Sequence, residues 1–371
     1  LKLELKEALN EVEGNKFFKV IEEGDLIKVS YRFNSPKVFD TPLKRELRGI
    51  TFFKSSGKVA SRPYHKFFNL NETEESREEN FKGRELLFRE KLDGVMLHPV
   101  LIDGEVKLLT QKDFSNPQTQ KGEELLRKND KLYSLVKELL EKGHTPILEL
   151  VSPEFQVVVP QEEEELYITE VRENETGKYL LEEVERELKE RGVKLPKKTV
   201  STLEKVKKEL SERENFEGYV LKDFKRKEPF PTFVKVKTPW YHKAHYAFTY
   251  LHNIPSHKLF NLYLTGKSDE LFSQITNQKV KEKREEELKK MVELHLTLLD
   301  LIRKGKKPQE ITKEIKRAFS KEFKLLEIDE KYLKEALRLF KGKKAYDKYL
   351  GTKLYILIKE GKVLPKTREG E

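Results

Sequence analysis

The sequence has no cysteine, two methionines and one tryptophan in 371 residues. Without cysteine there is no disulfide framework, no thiolate zinc site and no cysteine nucleophile, and a cytoplasmic location is expected, the host cytoplasm if the source is viral. Long apolar runs are also missing. The longest candidate, Val292–Ile302, is interrupted by Glu293, His295 and Asp300 and falls short of the roughly 18 residues of a membrane span. Leu1 to Asn10 alternates charge with leucine and shows no apolar signal core. Long blocks of like charge are absent as well. Although 38% of residues are charged, against roughly 25% in an ordinary globular protein, apolar residues at strand and helix spacing run between them, which excludes disorder. Abundant Lys and Glu with almost no Cys or Met is a composition suited to heat, so a thermostable protein is expected.

What is present is enough for two or three domains of ordinary size, with 36% hydrophobic residues to build their cores. The net charge of +10 is unevenly placed. From His242 onward there are 30 Lys+Arg and 19 Asp+Glu, a balance of +11, leaving 45 basic and 46 acidic residues in the first 241. The basic excess in the last third points to a polyanionic partner.

Texture divides the chain at the same place. Strand-length apolar runs occur at Leu26–Tyr31, Gly49–Phe53, Val95–Ile102, Val106–Thr110, Thr145–Val151, Phe155–Val159, Leu166–Val171, Gly218–Leu221 and Thr232–Val236. Asp103-Gly104 between two of them signals a hairpin. Helical stretches are expected near Lys121–Lys142, Leu180–Arg191 and Thr202–Arg213. This is an α+β pattern with mainly antiparallel sheets and flanking helices. After Tyr241 the reading is all-α: Gln278–Lys304 with Leu288, Val292, His295, Leu299 and Ile302 in one stripe, Gln309–Phe319, a run from Asp329 to Phe340, and Ala345–Ile358. Two domains are expected, residues 1–241 and 242–371.

The chemistry concentrates in four segments. Glu90-Lys91-Leu92-Asp93-Gly94-Val95 sets an amine beside a glycine that allows close backbone approach. Ile147-Leu148-Glu149-Leu150-Val151 buries one carboxylate in an apolar strand, which requires a ligand, metal or cation nearby. Phe216-Glu217-Gly218-Tyr219 brings a second acid and glycine into a strand, and Val234-Lys235-Val236-Lys237 sets two lysines on one strand face, an arrangement that wants a shared anion. His242 and His245 have no evident third ligand and read as solvated or structural histidines.

In this order the segments resemble the nucleotidyltransferase motifs of the covalent ligase superfamily. The flanking Leu47–Phe52, Arg62-Pro63, Lys66–Glu72 and Trp240-Tyr241 resemble the phage-type RNA ligase 1 family. The resemblance implies a nucleotidyltransferase fold for residues 1–241 and an RNA-binding role for the helical, basic residues 242–371. It also implies ATP as substrate and a divalent metal, Mg²⁺ or Mn²⁺, held at Glu217. Lys91 would be the nucleophile that becomes lysyl-AMP, in a motif completed by Asp93 and Gly94. Arg48, Lys66 and Phe68 would hold ATP phosphates and support ligation. Glu149 would contact the ribose, Lys235 and Lys237 would bind phosphate, and Lys112 and Tyr241 would be additional contacts. RNA ends carrying a 5′-phosphate and a 3′-hydroxyl, single-stranded or nicked, would be joined by a monomer, and transfer RNA repair is the implied setting.

From the residues themselves, a lysine of ordinary pKa about 10.4 is a weak nucleophile at neutral pH. The electropositive surroundings of Lys235, Lys237 and a metal are expected to lower the pKa of Lys91. Two alternatives compete. A DNA ligase or capping enzyme would normally carry a barrel domain after the last lysine motif, where this sequence turns helical. A non-catalytic RNA-binding protein on a ligase scaffold would not need Lys91, Glu217, Lys235 and Lys237 together.

Overall fold

The structure, a computed structural model, describes residues 1–32 and 34–255, then 259–260, 262, 268–273, 275–307, 310, 313–314 and 317–318. The chain forms two compact units, Leu1–His242 and Lys243–Glu371.

In the first unit, three sheets carry the fold. The first joins β1 (Phe18–Glu23), β2 (Leu26–Tyr31), β3 (Ile50–Phe53) and β4 (Val59–Ser61) in that order, all antiparallel. Ala8 and Val12 of α1 (Leu5–Val12) pack with Val29, Ile50 and Phe52 of this sheet, and α2 (Pro42–Glu46) starts at a Thr41 cap on the Lys44 N–H. Next in sequence come β5 (Phe68–Asn69), β6 (Glu85–Lys91), β7 (Val95–Ile102) and β8 (Glu105–Leu109). The β7–β8 turn is the expected Asp103-Gly104 hairpin, with φ of 51° and 77° and Ile102 facing Glu105. Two consecutive positive φ values give the twist a two-residue hairpin needs.

The single helical stretch expected at Lys121–Lys142 is two helices, α3 (Pro117–Arg127) and α4 (Asp130–Glu141). Asn116 caps the first on Thr119 N–H, and Asn129 caps the second on Leu132 N–H, so the apolar period restarts at Asn129. These helices and α5 (Leu181–Glu190) share an apolar core with a second sheet of order β10-β9-β7-β8, where β9 is His144–Val151 and β10 is Glu165–Glu173. The strand expected at Phe155–Val159 does not form. Pro153–Phe155 is a 3₁₀ turn, and the N–H groups of Val158 and Val159 bind the Asp93 carboxylate instead of a strand.

The third sheet has the order β11-β6-β12-β13-β5, with β11 at Lys198–Thr202, β12 at Gly218–Asp223 and β13 at Thr232–Lys237. Only its β13–β5 pair is parallel. The alternation of side chains decides what each face does. Phe88, Tyr219, Leu221, Val234 and Val236 form one apolar face, which packs on Leu203, Val206 and Leu210 of α6 (Leu203–Ser211). Arg89, Lys91, Gly218, Val220, Lys235 and Lys237 fall on the other face.

Helix α7 (Pro239–Asn253) begins in the first unit and continues into the second. The helix expected at Gln278–Lys304 is present as Gln278–Arg303. Leu288, Met291 and Leu301 are buried there, and the remaining stripe positions Val292, His295, Leu299 and Ile302 lie outside the described side chains. Of the helix expected at Gln309–Phe319, the described residues 310, 313–314 and 317–318 are helical. The helices expected from Asp329 to Phe340 and at Ala345–Ile358 lie outside the described residues.

Candidate active site

Three neighbouring strands place the charged groups in rows. Gly218 on β12 faces Lys91 on β6 to one side and Lys237 on β13 to the other; two residues along, Val220 faces Arg89 and Lys235. Lys91 thus ends β6, and the next strand, β7, begins at Val95. A side chain at position 218 would block this row, because a Cβ there would stand 2.1 Å from Val236 O, and its φ is +149°. Gly94 is equally constrained from the second sheet: a Cβ would lie 2.4 Å from Leu150 O and 3.1 Å from Glu149 Cγ.

Together they line a cavity of about 280 Å³ that includes Arg48, Lys91, Gly94, Glu149, Lys235 and Lys237. Lys91 Nζ lies 2.8 Å from Glu217 Oε1, and Lys237 Nζ 3.9 Å from the same oxygen. Glu217 Oε2 and Arg48 Nε are buried with no hydrogen-bond partner. Buried polar atoms in a native site are normally paired, so an unpaired acceptor and an unpaired donor beside one cavity indicate ligand groups of both signs.

Burial works against the Lys91 ammonium, but the carboxylates of Glu217, Glu149 and Asp93 outweigh it and raise its pKa. This is opposite to the lowering expected from sequence, because the nearest group to Lys91 is a carboxylate and not a lysine. The lowering falls on its neighbours. Burial, reinforced by Arg48, Lys66, Lys91 and Lys237, pushes Lys235 well below the ordinary lysine range. Lys237 is lowered by burial and by Lys91, and Lys66 falls to about 8 through burial and Arg48. Glu149, stripped of water and near Glu217, is raised to about 8 in spite of Lys91. Burial also raises Glu217.

The other sequence candidates fall around this centre. Asp93 is buried; Oδ2 accepts from Val158 and Val159 N–H at 2.8 and 2.6 Å, and Oδ1 from the Tyr241 hydroxyl at 2.9 Å. Asp93 thereby ties the Val158–Val159 loop and Tyr241 to the turn that follows the nucleophile strand. Lys66 Nζ donates to Asn34 Oδ1 and sits 5.4 Å over the Phe68 ring. Phe68 belongs to the first sheet's core, and its neighbour Phe67 faces the cavity instead, under Lys235 Nζ at 5.2 Å. Lys112 is exposed over Tyr31 and is not in the lining, whereas the adjacent Gln111 is.

Sequence reasoning passed over Arg89, Val220 and Lys222, which line the cavity. The period of two from Lys91 and Gly218 identifies all three. Thr169 also lines it, at a bulge in β10 between Ile168 and Glu170, and nothing in a sequence pattern marks that position.

Residues 46–241, over half the chain, match the RNA ligase family. The chain belongs to the RNA ligase family. This ligase is 56% identical over 380 residues to a protein of Thermovibrio ammonificans named "Putative RNA ligase", across 99% of this chain and 100% of that one. It is 33% identical over 249 residues to RNA ligase 1 of bacteriophage TS2126, covering 64% of this chain and 61% of the phage protein. Among solved structures, the ligase resembles in fold an archaeal ATP-dependent RNA ligase, with a TM-score of 0.51 at 14% identity over 96% of each chain.

Proposed function

We propose that this ligase is ATP-dependent and joins a 5′-phosphate to a 3′-hydroxyl RNA end through lysyl-AMP. The observation carrying this reading is the row Lys91–Gly218–Lys237, in which Lys91 and Lys237 line one cavity with Lys235 and both approach Glu217. Lys91 Nζ attacks the α-phosphorus of ATP. The N–P bond forms as the bond from that phosphorus to the bridging oxygen breaks, pyrophosphate leaves, and the amine loses its proton. Because Lys91 rests as an ammonium paired with Glu217, it must leave that pair and give up a proton to water before its free amine attacks.

Burial and mutual repulsion disfavour the charged forms of Lys235, Lys237 and Lys66, so an arriving triphosphate favours their protonated forms and is bound by them. Arg48 offers its unpaired Nε to the same phosphates. Phe68 supports Lys66 from below, and a neutral Glu149 beside Gly94 can either donate to or accept from a ribose hydroxyl. Asp93 and Tyr241 hold the turn after the nucleophile strand in place, and Lys112, exposed over Tyr31, lies outside the cavity lining. No three His, Asp or Glu side chains cluster as a metal site among the described residues. Glu217 Oε2, buried and unpartnered, would hold a Mg²⁺ or Mn²⁺ ion, since these are hard cations that take oxygen ligands. When bound, such an ion would supply positive charge that favours the free amine of Lys91 and offsets charge on phosphate.

In the following steps AMP passes to the RNA 5′-phosphate, and the 3′-hydroxyl of the other end displaces it. We assign catalysis to residues 1–241 and RNA binding to the basic residues 242–371, in a cytoplasmic monomer that repairs broken transfer RNA.

The test uses α-labelled ATP with magnesium, then 5′-phosphorylated single-stranded RNA, for wild type and Lys91→Arg. The expected result is an acid-stable label on the Lys91 peptide, absent from the variant and chased into joined RNA. Absence of label in the wild type overturns the covalent mechanism. Label that joins only DNA, or caps RNA ends without joining them, overturns the substrate assignment.

A further inference from the structure

From Pro229 to Ser268 the chain has no Asp or Glu, where its overall share of 65 acidic residues in 371 would place about seven. Lysines remain at 235, 237, 243, 258 and 267. The gap extends well beyond the lysine pair of β13, so phosphate binding at the cavity does not account for all of it. The whole of α7 lies inside it.

Helix α7 has two different faces. Tyr241, Ala244, Ala247 and Leu251 are buried, at helical spacing. The opposite side exposes Lys243, His245, Tyr246, Thr249 and His252. Tyr246 is 64% exposed, whereas the other large apolar side chains open to solvent among the described residues, Phe17, Val20 and Val200, all lie in the first unit. Its ring stacks on Tyr250 one helical turn later, with centroids 5.8 Å apart and planes 13° from parallel. The pair therefore presents a supported aromatic plane to water, flanked by a lysine and two imidazoles and by no carboxylate of its own helix.

We propose that this face of α7 binds the single-stranded RNA substrate, with an unpaired base stacked on Tyr246 and the adjoining phosphate held by Lys243. This rests on the RNA ligase reading above. Single strands are held by aromatic planes for bases and cations for the backbone, and every base offers a π-face, so the contact requires no sequence. A duplex keeps its bases stacked internally and gains little from the tyrosine. The absence of acid across the segment is what a polyanion needs and what a protein partner does not require.

The test compares the full-length protein with Tyr246→Ala and Tyr246→Phe. Binding of a 5′-phosphorylated mixed-sequence RNA 20-mer and of the same RNA as a duplex is measured, alongside labelling by α-labelled ATP. The expected result is about tenfold weaker single-strand binding in Tyr246→Ala, little change in Tyr246→Phe or on the duplex, and unchanged labelling in both variants. RNA carrying 4-thiouridine and cross-linked to wild type should mark a peptide within Lys243–Asn253, a readout that does not depend on how the variants fold. Equal single-strand affinity in wild type and Tyr246→Ala, or cross-links confined to other peptides, overturns the proposal. Self-association of the wild type that Tyr246→Ala abolishes, with RNA affinity unchanged, gives the face to a second copy of the chain. Loss of labelling in wild type would fault the covalent mechanism and leave the RNA measurement to be judged separately.

Discussion

Two clusters of buried charge sit in the first unit, and they are built on opposite rules. Around Glu46 every charge is answered. Arg172 approaches it with both terminal nitrogens at 2.8 and 2.9 Å, and Arg62 lies 3.1 Å away. The remaining guanidinium hydrogens go to backbone oxygens, Arg172 to Pro63 and Gly177, Arg62 to Leu1 and Asn174. Although burial opposes its charge, Arg172 and Arg62 hold the Glu46 carboxyl well below the usual range. Around Lys91, by contrast, Lys235 is pushed far down, Glu149 far up, and Arg48 Nε and Glu217 Oε2 have no partner. A satisfied network stabilises a fold, while an unsatisfied one stores electrostatic strain that a ligand can relieve. Arg62, read from sequence only as part of a stretch that resembles the RNA ligase family, belongs to the first kind.

The largest way to break this contrast is Glu46→Gln. Removing one charge from a paired, water-free network strands two guanidinium groups and should cost about 3–5 kcal/mol, seen as a large drop in the midpoint of urea unfolding. A loss under 1 kcal/mol would show that the network is not what holds α2 to β10.

Glu149→Gln should act in the opposite direction. A carboxyl raised to about 8 keeps its proton when folded but loses it when unfolded, so the wild type forfeits stability as pH rises from the ordinary carboxyl range to about 8. The glutamine variant does not titrate. Its advantage should be small at pH 5, grow to about 2–4 kcal/mol near pH 8, and come with loss of adenylylation. An advantage that shrinks as pH rises would contradict the assignment. The smallest effect belongs to the surface. Arg186→Ala breaks an exposed pair with Glu190 at 3.0 Å and should change stability by no more than about 0.5 kcal/mol, within the error of most unfolding curves.

Much of this arrangement was legible in the sequence where periodicity and chemistry coincide. Lys235 and Lys237 share a face because strands alternate, and the pairing of both with β12 follows. Glu149 amid leucines announced a strained carboxylate. The strand at Phe155–Val159 failed because an apolar run does not reveal that a distant aspartate will take its N–H groups. The shift of Lys91 was misjudged for a related reason. Sequence order shows which charges exist, but only the sheet register shows that Glu217 is nearer to Lys91 than Lys235 is. Strands β1, β4, β5, β6 and β11 went unnoticed: exposed positions dilute the apolar signal in β1, β6 and β11, and β4 and β5 are too short to show a period.

The central claim is that Lys235 and its neighbours Lys237 and Lys66 are held in an unfavourable state for the sake of an anion. Thermal unfolding of wild type and Lys235→Met, each with and without ATP and magnesium, tests it most directly. The account predicts that without nucleotide the variant melts higher than wild type, because it removes an amine whose charged form burial and four neighbouring cations disfavour in the folded state. It also predicts that ATP stabilises wild type strongly and the variant little. A variant that melts lower without nucleotide, or one that ATP stabilises as much as wild type, would contradict it.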